Sequence, residues 1–290
     1  MSDFRGCVLE ADLTWTGECF ESDVQIRCDK DGRITEVGQD IAQKSDKLVR
    51  LPDQALLPGF VSAHSHAFHR GMRGSSHIGT DNAANSFWCW RQDMFQTVET
   101  MTANALFDVC RQTFSEMLAA GITTVGDFHY FHHGENKYEF DKVMLKAAKS
   151  AGIRIVLLET YYKQAGLLQQ ELAPAQTRFV STSLNEFWHN FAELQNGLEP
   201  TQTLGIAAHS IRAVPTEDIK ALWQEAKRRA IPFHMHMEEQ PLEIKDALDA
   251  LGTTPTDFVL QHLAPNELFT SVHATYTPND KLTHLFTTGA

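Results

Sequence analysis

From residue 60 onward the chain alternates short apolar strands with amphipathic helical stretches, and no other feature limits its fold as much. Phe60–His66 reads as a strand, a helix over about 102–120 stops at Gly121, and Ile122–His129 follows as the next strand. A helix near 140–150 then precedes strand 154–160, and a helix near 183–195 precedes strand 203–210. Thr216 is expected to cap a helix running to Arg229, with Glu217 and Asp218 in its first turn. Strand 232–237, a helix from about Leu242, a sixth strand at 269–275 and a last helix after Pro278 complete the series. Strands separated in this way by helices imply a parallel sheet with crossover connections, so the class is α/β.

Residues 1–55 follow a different rule. Alternating segments at 7–11, 24–27 and 34–37, split by turn residues such as Asp29-Lys30-Asp31-Gly32, predict a small antiparallel, sandwich-like β unit. The second domain is then 56–290, opened by Leu57-Pro58-Gly59. Six β-α units are two fewer than a closed (β/α)8 barrel needs. Strands seven and eight, and the strands that complete the N-terminal unit, are therefore expected beyond Ala290, and six units alone would leave strand edges exposed.

Lys and Arg number 25 against 37 Asp and Glu, a net charge of −12, which gives no general attraction for nucleic acid or an anionic membrane. An anionic substrate must then be held by a few local Arg or Lys residues. No apolar run approaches the roughly 20 residues of a membrane span, and no hydrophobic leader follows Met1, so the cytoplasm is the expected location. The five cysteines are widely spaced with no C-x-x-C pair, which predicts reduced thiols rather than a disulfide framework or thiolate metal site.

The chemistry-bearing residues are histidines. Residues two apart on a strand share a face, so His64 and His66 at the end of the first barrel strand can both project into the barrel mouth. Fourteen histidines in 290 residues produce an H-x-H pair by chance about 0.7 times, so the pair alone is weak. Its position carries more weight, because His234-Met235-His236 with Glu239 closes the fifth strand and His273 lies in the sixth. C-terminal strand ends are where barrel enzymes place their chemistry. Not all four strand-end histidines can ligate one tetrahedral ion, and His236 is preferred to His234 because it leads an H-x-x-E motif. Glu238 is expected to be a solvated carboxylate at a helix N-terminus. Arg91 follows the apolar run Phe87-Trp88-Cys89-Trp90 and reads either as a surface arginine or as a substrate clamp; Arg212 lies just past the fourth strand, at the mouth.

The segment from Leu57 to His66, LPGFVSAHSH, resembles the first-strand signature of the amidohydrolase superfamily. Phe87–Arg91, Asp127–His133, Ala208–Val214 and His234–Gln240 are similar to segments of one branch of it, the formimidoylglutamate deiminases, and the resemblance runs over essentially the whole chain. It implies a TIM-like (β/α) barrel of the metal-dependent hydrolase type that deaminates an amidine by hydrolysis. Its ligands to one Zn²⁺, or another divalent ion, are His64, His66 and His236, with a strand-eight aspartate for which this sequence holds no candidate. Glu239 would move protons between water and the leaving nitrogen, and His273 would hydrogen-bond that water. Arg91 and Arg212 would grip a dicarboxylate amidine, N-formimino-L-glutamate, with Tyr130 and His209 supporting. His69 stands where the branch carries a substrate-contacting glutamine, which puts the substrate preference in question. Deamination of a purine-like or cyclic amidine is a second reading, and a truncated homologue without activity a third. A homodimer is one assembly that would cover the open barrel.

Overall fold

The computed structural model describes residues 3–74, 83–169 and 171–290, with the side chains of 83–89 outside the description; these include Phe87, Trp88 and Cys89 of the tryptophan-arginine segment. The chain divides into two compact units, Met1–Gly59 and Phe60–Ala290.

The first unit is a five-stranded sheet built around β1 (Cys7–Trp15). β2 (Phe20–Glu21) and β3 (Val24–Cys28) pair with β1 antiparallel, and β4 (Ile34–Gln39) extends the sheet from β3. The expected antiparallel order fails at β5 (Lys47–Leu56), which runs parallel to β1 from Cys7↔Lys47 to Thr14↔Leu56. The reversal follows from residues 40–46 crossing back over the sheet. Arg27 pins that crossover, donating to Ile41 O at 2.6 Å and pairing with Asp46 at 2.8 Å.

The second unit carries six parallel strands in chain order: β6 (Phe60–Ser65), β7 (Ile122–His129), β8 (Arg154–Tyr161), β9 (Gln202–Ser210), β10 (Phe233–Met237) and β11 (Phe269–His273). Helices α1 (Ala83–Thr100) and α2 (Ala103–Ala119) connect β6 to β7, and α3 (Glu139–Ala151), α4 (Leu184–Gln195) and α5 (Thr216–Arg229) make the next three crossovers. Two helices, α6 (Pro241–Leu251) and α7 (Pro255–His262), precede β11, and α8 (Asn279–Thr288) follows it. The second half of β7 and nearly all of β8, β9 and β10 are buried, as expected for a parallel sheet with packed residues on both faces. The sheet is rolled: the His64 and His273 rings, from its first and last strands, lie 6.2 Å apart. This is the α/β architecture of a (β/α) barrel.

Several boundaries depart from expectation. Thr216 is the first helical residue of α5 rather than its cap; Pro215 occupies that place without a side-chain hydrogen bond. The capping hydroxyls of Ser183 and Thr102 do accept backbone N–H groups, as their position predicts. α7 was not expected, because its eight residues are too few to show a clear period of 3.6. β11 ends two residues early because His273 and Ala274 have left-handed backbones, with φ of 73° and 49°.

Glycine is required where β6 and β7 meet. A Cβ on Gly126 would stand 2.7 Å from the carbonyl oxygen of Ala63, the residue before His64. Gly126→Ala should therefore force the strands apart at a steric cost of about 1–3 kcal/mol. That lowers the unfolding midpoint by roughly 2–4 °C per kcal/mol in a unit of this size. An unchanged midpoint in differential scanning calorimetry would show that β6 can move aside freely.

Candidate metal centre and catalytic cavity

The C-terminal strand ends enclose a cavity of about 330 Å³. Its lining contains His64 and His66 of the first motif, His69, Arg91, Tyr130, His209, Arg212, His236, Glu239 and His273. Every site residue expected from the sequence therefore borders one space.

Two bulges aim the histidines. Opposite the step from Val125 to Asp127 in β7, β6 spends three steps, Ser62 to Ser65, so an extra residue lies beside His64. His64 and His66 consequently meet edge to face, with centroids 4.7 Å apart and planes at 86°. In β9 the extra residue falls between Ala208, opposite Met235, and Ser210, opposite His236, which brings His209 into the lining. Phe128 of β7 stacks on His236 at 4.0 Å and fixes its ring.

The ring nitrogens of His64, His66 and His236 lie within 4.8 Å of one another. His66 Nδ1–H donates to the Phe128 carbonyl at 2.8 Å, which leaves the Nε2 lone pair for a ligand. His64 Nε2 faces His236 Nε2 at 3.4 Å. Two ligands on a tetrahedral ion with ~2.0–2.1 Å bonds stand about 3.3–3.4 Å apart, so that spacing fits a divalent metal. Burial favours the neutral, ligating form of all three rings, holding His64 near a pKa of about 4 and His66 and His236 well below the ordinary imidazole range. His234, one residue before Met235 on the same strand, is outside this group.

A second cluster, His129, His132 and Asp141, also has metal-like spacing but different chemistry. His132 Nδ1 faces Asp141 Oδ1 at 2.9 Å and its Nε2 faces the Thr160 carbonyl at 2.8 Å. Both partners are acceptors, so both nitrogens carry protons and His132 has no lone pair to offer. His129 Nε2 donates to the same Asp141 oxygen at 3.0 Å, and Asn190 donates to the other at 2.8 Å. This cluster is a buried ion-pair network, and the barrel-mouth trio is the set that fits a metal.

Glu239 occupies the connection between β10 and α6, with Oε1 3.7 Å from His273 Nε2 and Oε2 3.5 Å from Arg212. Its neighbour Glu238 is not the solvated carboxylate expected. It is 1% exposed, accepts from Thr256 N at 3.0 Å and Thr277 Oγ1 at 2.5 Å, and has a left-handed φ of 49°. The N-terminus of α7 and the turn after β11 fold over it and supply those donors, a packing that local sequence does not announce. His69 donates to or accepts from the Tyr130 hydroxyl at 2.9 Å, and its ring packs edge-on against Trp90. Arg91 is cavity-lining rather than a solvated surface group, and burial lowers its pKa, with the Tyr162 and Tyr130 phenols and Arg212 acting on it next. Asp127, to which no local pattern assigns a role, accepts the Ala67 N–H at 2.9 Å and so anchors the turn carrying His66 and His69; burial raises its pKa to about 7.

Sequence reasoning missed Tyr162, Phe179 and Glu243 in the lining. Only Glu243 left a signal, an acid three residues after the N-cap Gln240 in the capping-box position.

Comparison with known proteins agrees with this architecture. The sequence pattern of the Amidohydrolase family matches residues 55–287. A formimidoylglutamate deiminase of Pseudomonas aeruginosa is 31% identical over 280 residues, which are 94% of this chain and 60% of that protein. A 5-methylthioadenosine/S-adenosylhomocysteine deaminase of Shouchella clausii is 24% identical over 218 residues, 75% of this chain and 45% of its own length. The chain thus spans between 45% and 60% of the length of these two curated relatives. Among solved structures, an amidohydrolase from Brucella melitensis superposes with a TM-score of 0.85 at 28% identity, over 98% of this chain and 63% of that one. An atrazine chlorohydrolase from Arthrobacter aurescens, complexed with zinc, shares the fold at a TM-score of 0.81 and 20% identity, over 98% of this chain and 64% of that one. Among the described residues no helix is long and apolar enough to cross a membrane. With a strand-end imidazole trio, an acid three residues after its third histidine and a family match over most of its length, the chain belongs to the amidohydrolase family.

Proposed function

We propose that this site hydrolyses the C–N bond of a linear amidine bearing two carboxylates, N-formimino-L-glutamate, to N-formyl-L-glutamate and ammonia. The observation that carries the reading is two guanidiniums, Arg91 and Arg212, in the same cavity as the imidazole trio and the Glu239–His273 pair. Guanidinium forks match carboxylates bidentately, whereas a neutral purine ring brings no counter-charge to either of them. The 31% identity to a formimidoylglutamate deiminase supports the same substrate.

His64, His66 and His236 would hold the ion, taken here as Zn²⁺, which supplies a Lewis acid and a water of lowered pKa. Glu239 takes one proton of the attacking water and passes it to the amidine nitrogen as the water's oxygen adds to the carbon. It then carries the second proton from that oxygen to the same nitrogen as the adduct collapses to the formyl carbonyl, the C–N bond breaks and ammonia leaves. His273 hydrogen-bonds the water and orients it towards that carbon. Burial and the nearby Arg212 and Arg91 keep His209 neutral, with its pKa well below the ordinary range, so it can contribute a single N–H to the substrate without adding charge. Tyr130, held by His69, presents its hydroxyl from a ring packed edge-on against His209.

The test is ammonia release from N-formimino-L-glutamate by the zinc-supplemented chain, with 5-methylthioadenosine as the neutral competitor. Turnover of the nucleoside alone would overturn the reading. Binding of N-formyl-L-glutamate, followed by titration calorimetry, examines recognition separately from turnover. Arg212→Gln should weaken that binding roughly 10–100-fold, the loss of a charge-assisted hydrogen bond of about 1.5–3 kcal/mol. Equal affinity in the variant would mean that Arg212 does not contact the carboxylate.

A further inference from the structure

We infer that Glu243, in the first turn of α6, is a positioning residue that sets both the Glu239 carboxylate and the Arg212 guanidinium. The inference rests on the proposed roles of those two groups. Glu243 borders the cavity yet is 2% exposed, so its carboxyl group is committed to the protein wall rather than to solvent.

Its two oxygens have separate tasks. Oε2 accepts the backbone N–H of Glu239 at 3.1 Å, reaching back from the third residue of the helix to the residue before the N-cap Gln240, one position beyond the N–H a capping-box acid takes. On the other side of Glu239, the buried side chain of Glu238 is tied to Thr256 and Thr277. The Cα of Glu239 is thus held from both flanks, and its carboxylate is left to face His273 and Arg212.

Oε1 points at Arg212 Nε, 3.7 Å away. Both atoms are buried and neither has a hydrogen-bond partner among the described residues. Arg212 is fixed at its backbone, where Gln164 Nε2 donates to its carbonyl at 3.1 Å. Its side chain is therefore oriented by two acids, Glu243 at Nε and Glu239 at the terminal nitrogen. A neutral side chain at 243 would remove one of the two and let the guanidinium turn towards Glu239, away from an incoming carboxylate.

The two tasks separate by substitution. Glu243→Ala removes both, so kcat should fall at least about tenfold and KM should rise. Glu243→Gln keeps an oxygen for the Glu239 N–H but sets an amide N–H₂ against Arg212 Nε, two donors face to face. It should recover most of the lost kcat while KM stays raised. A direct readout independent of substrate is hydrogen exchange at the Glu239 amide, expected to quicken at least about tenfold in Glu243→Ala and to remain slow in Glu243→Gln. Equal exchange at Glu239 in the unaltered chain and Glu243→Ala overturns the inference whatever the substrate. Accelerated exchange with unchanged kcat, or a Glu243→Gln variant as slow in turnover as Glu243→Ala, overturns it too. If the unaltered chain converts a nucleoside rather than N-formimino-L-glutamate, the substrate reading fails and the same kcat comparison is made on the nucleoside.

Discussion

A His236→Ala chain should lose the metal that the unaltered chain keeps after dialysis, from about one zinc per chain to a small fraction of that. The trio provides three lone pairs from two distant segments, and removing His236 leaves only His64 and His66 of a single strand end. A partner that merely orients a ligand costs 10–100-fold in affinity when lost, and the ligand itself must cost more. Binding to the folded state alone stabilises a protein by about 4.1 kcal/mol at a thousandfold excess over Kd. Zinc should therefore raise the midpoint of the unaltered chain by roughly 8–16 °C and leave that of His236→Ala almost unmoved. Glu239→Gln is the complementary case. It should keep the zinc and the thermal shift but lose about 10²–10⁴-fold in turnover, the usual share of a general acid-base group. Retention of stoichiometric zinc by His236→Ala, measured by atomic absorption, would place the metal elsewhere.

Asp141→Asn should destabilise the second unit by about 3–5 kcal/mol, the cost of breaking a buried ion pair from one side. Asp141 is fully buried and accepts from His129, His132 and Asn190. The asparagine is nearly isosteric, so the loss comes from leaving the His132 imidazolium without its counter-charge. Burial opposes charging His132, but Asp141 and the Thr160 carbonyl outweigh it and raise its pKa. Burial pushes the Asp141 pKa up, but His132 and His129 together hold it below its ordinary value. Glu159, beside Asp141 and equally buried, is pushed well upward by burial and then by the Asp141 charge.

The signs give a pH signature. Asp141 contributes stability that is complete above about pH 4, its unfolded pKa, and is lost as pH falls through the depressed folded value. His132 contributes stability that is complete below about pH 6.5 and fades as pH rises through its raised value. Urea unfolding should then show the greatest difference between the unaltered chain and Asp141→Asn between about pH 5 and 6.5. A His132→Gln/Asp141→Asn double variant should be less destabilised than the sum of the two single variants, because neither charge is left alone. Strict additivity would mean that His132 is neutral in the folded chain.

This network also shows what a reading of the sequence misses. Asp127 in the second barrel strand and His132 and His133 just after it fall in the segment that resembles the deiminase branch, but no local pattern assigns them a role. What gives His132 its charge is Asp141 on α3, the Thr160 carbonyl of β8 and the amide of Asn190 on α4 fixing Asp141 in place, three elements whose convergence is a matter of packing. Glu238 and Glu239 make the same point at closer range. The two are adjacent acids in one connection, yet one is sealed beneath α7 and the turn after β11, and the other faces the cavity.

The sequence by itself determined the alternation of strands and helices and the placement of histidines at strand ends. Both depend on local periodicity, on apolar residues recurring every two or every 3.6 positions and on glycine closing helices such as α3, α6 and α8, and such periods survive in any window of a dozen residues. It also placed nine of the ten site residues at or just past strand ends, whereas Arg91 reaches the same cavity from within α1. Tertiary structure alone decided how they face. Bulges in β6 and β9 turned His64 and His209, the rolled sheet brought His273 back to His64, and Glu243 reached across a helix start to hold Glu239. Each of these depends on contacts between residues far apart in the chain, where a shift of about 1 Å decides whether two nitrogens share an ion, and no local pattern carries that distance.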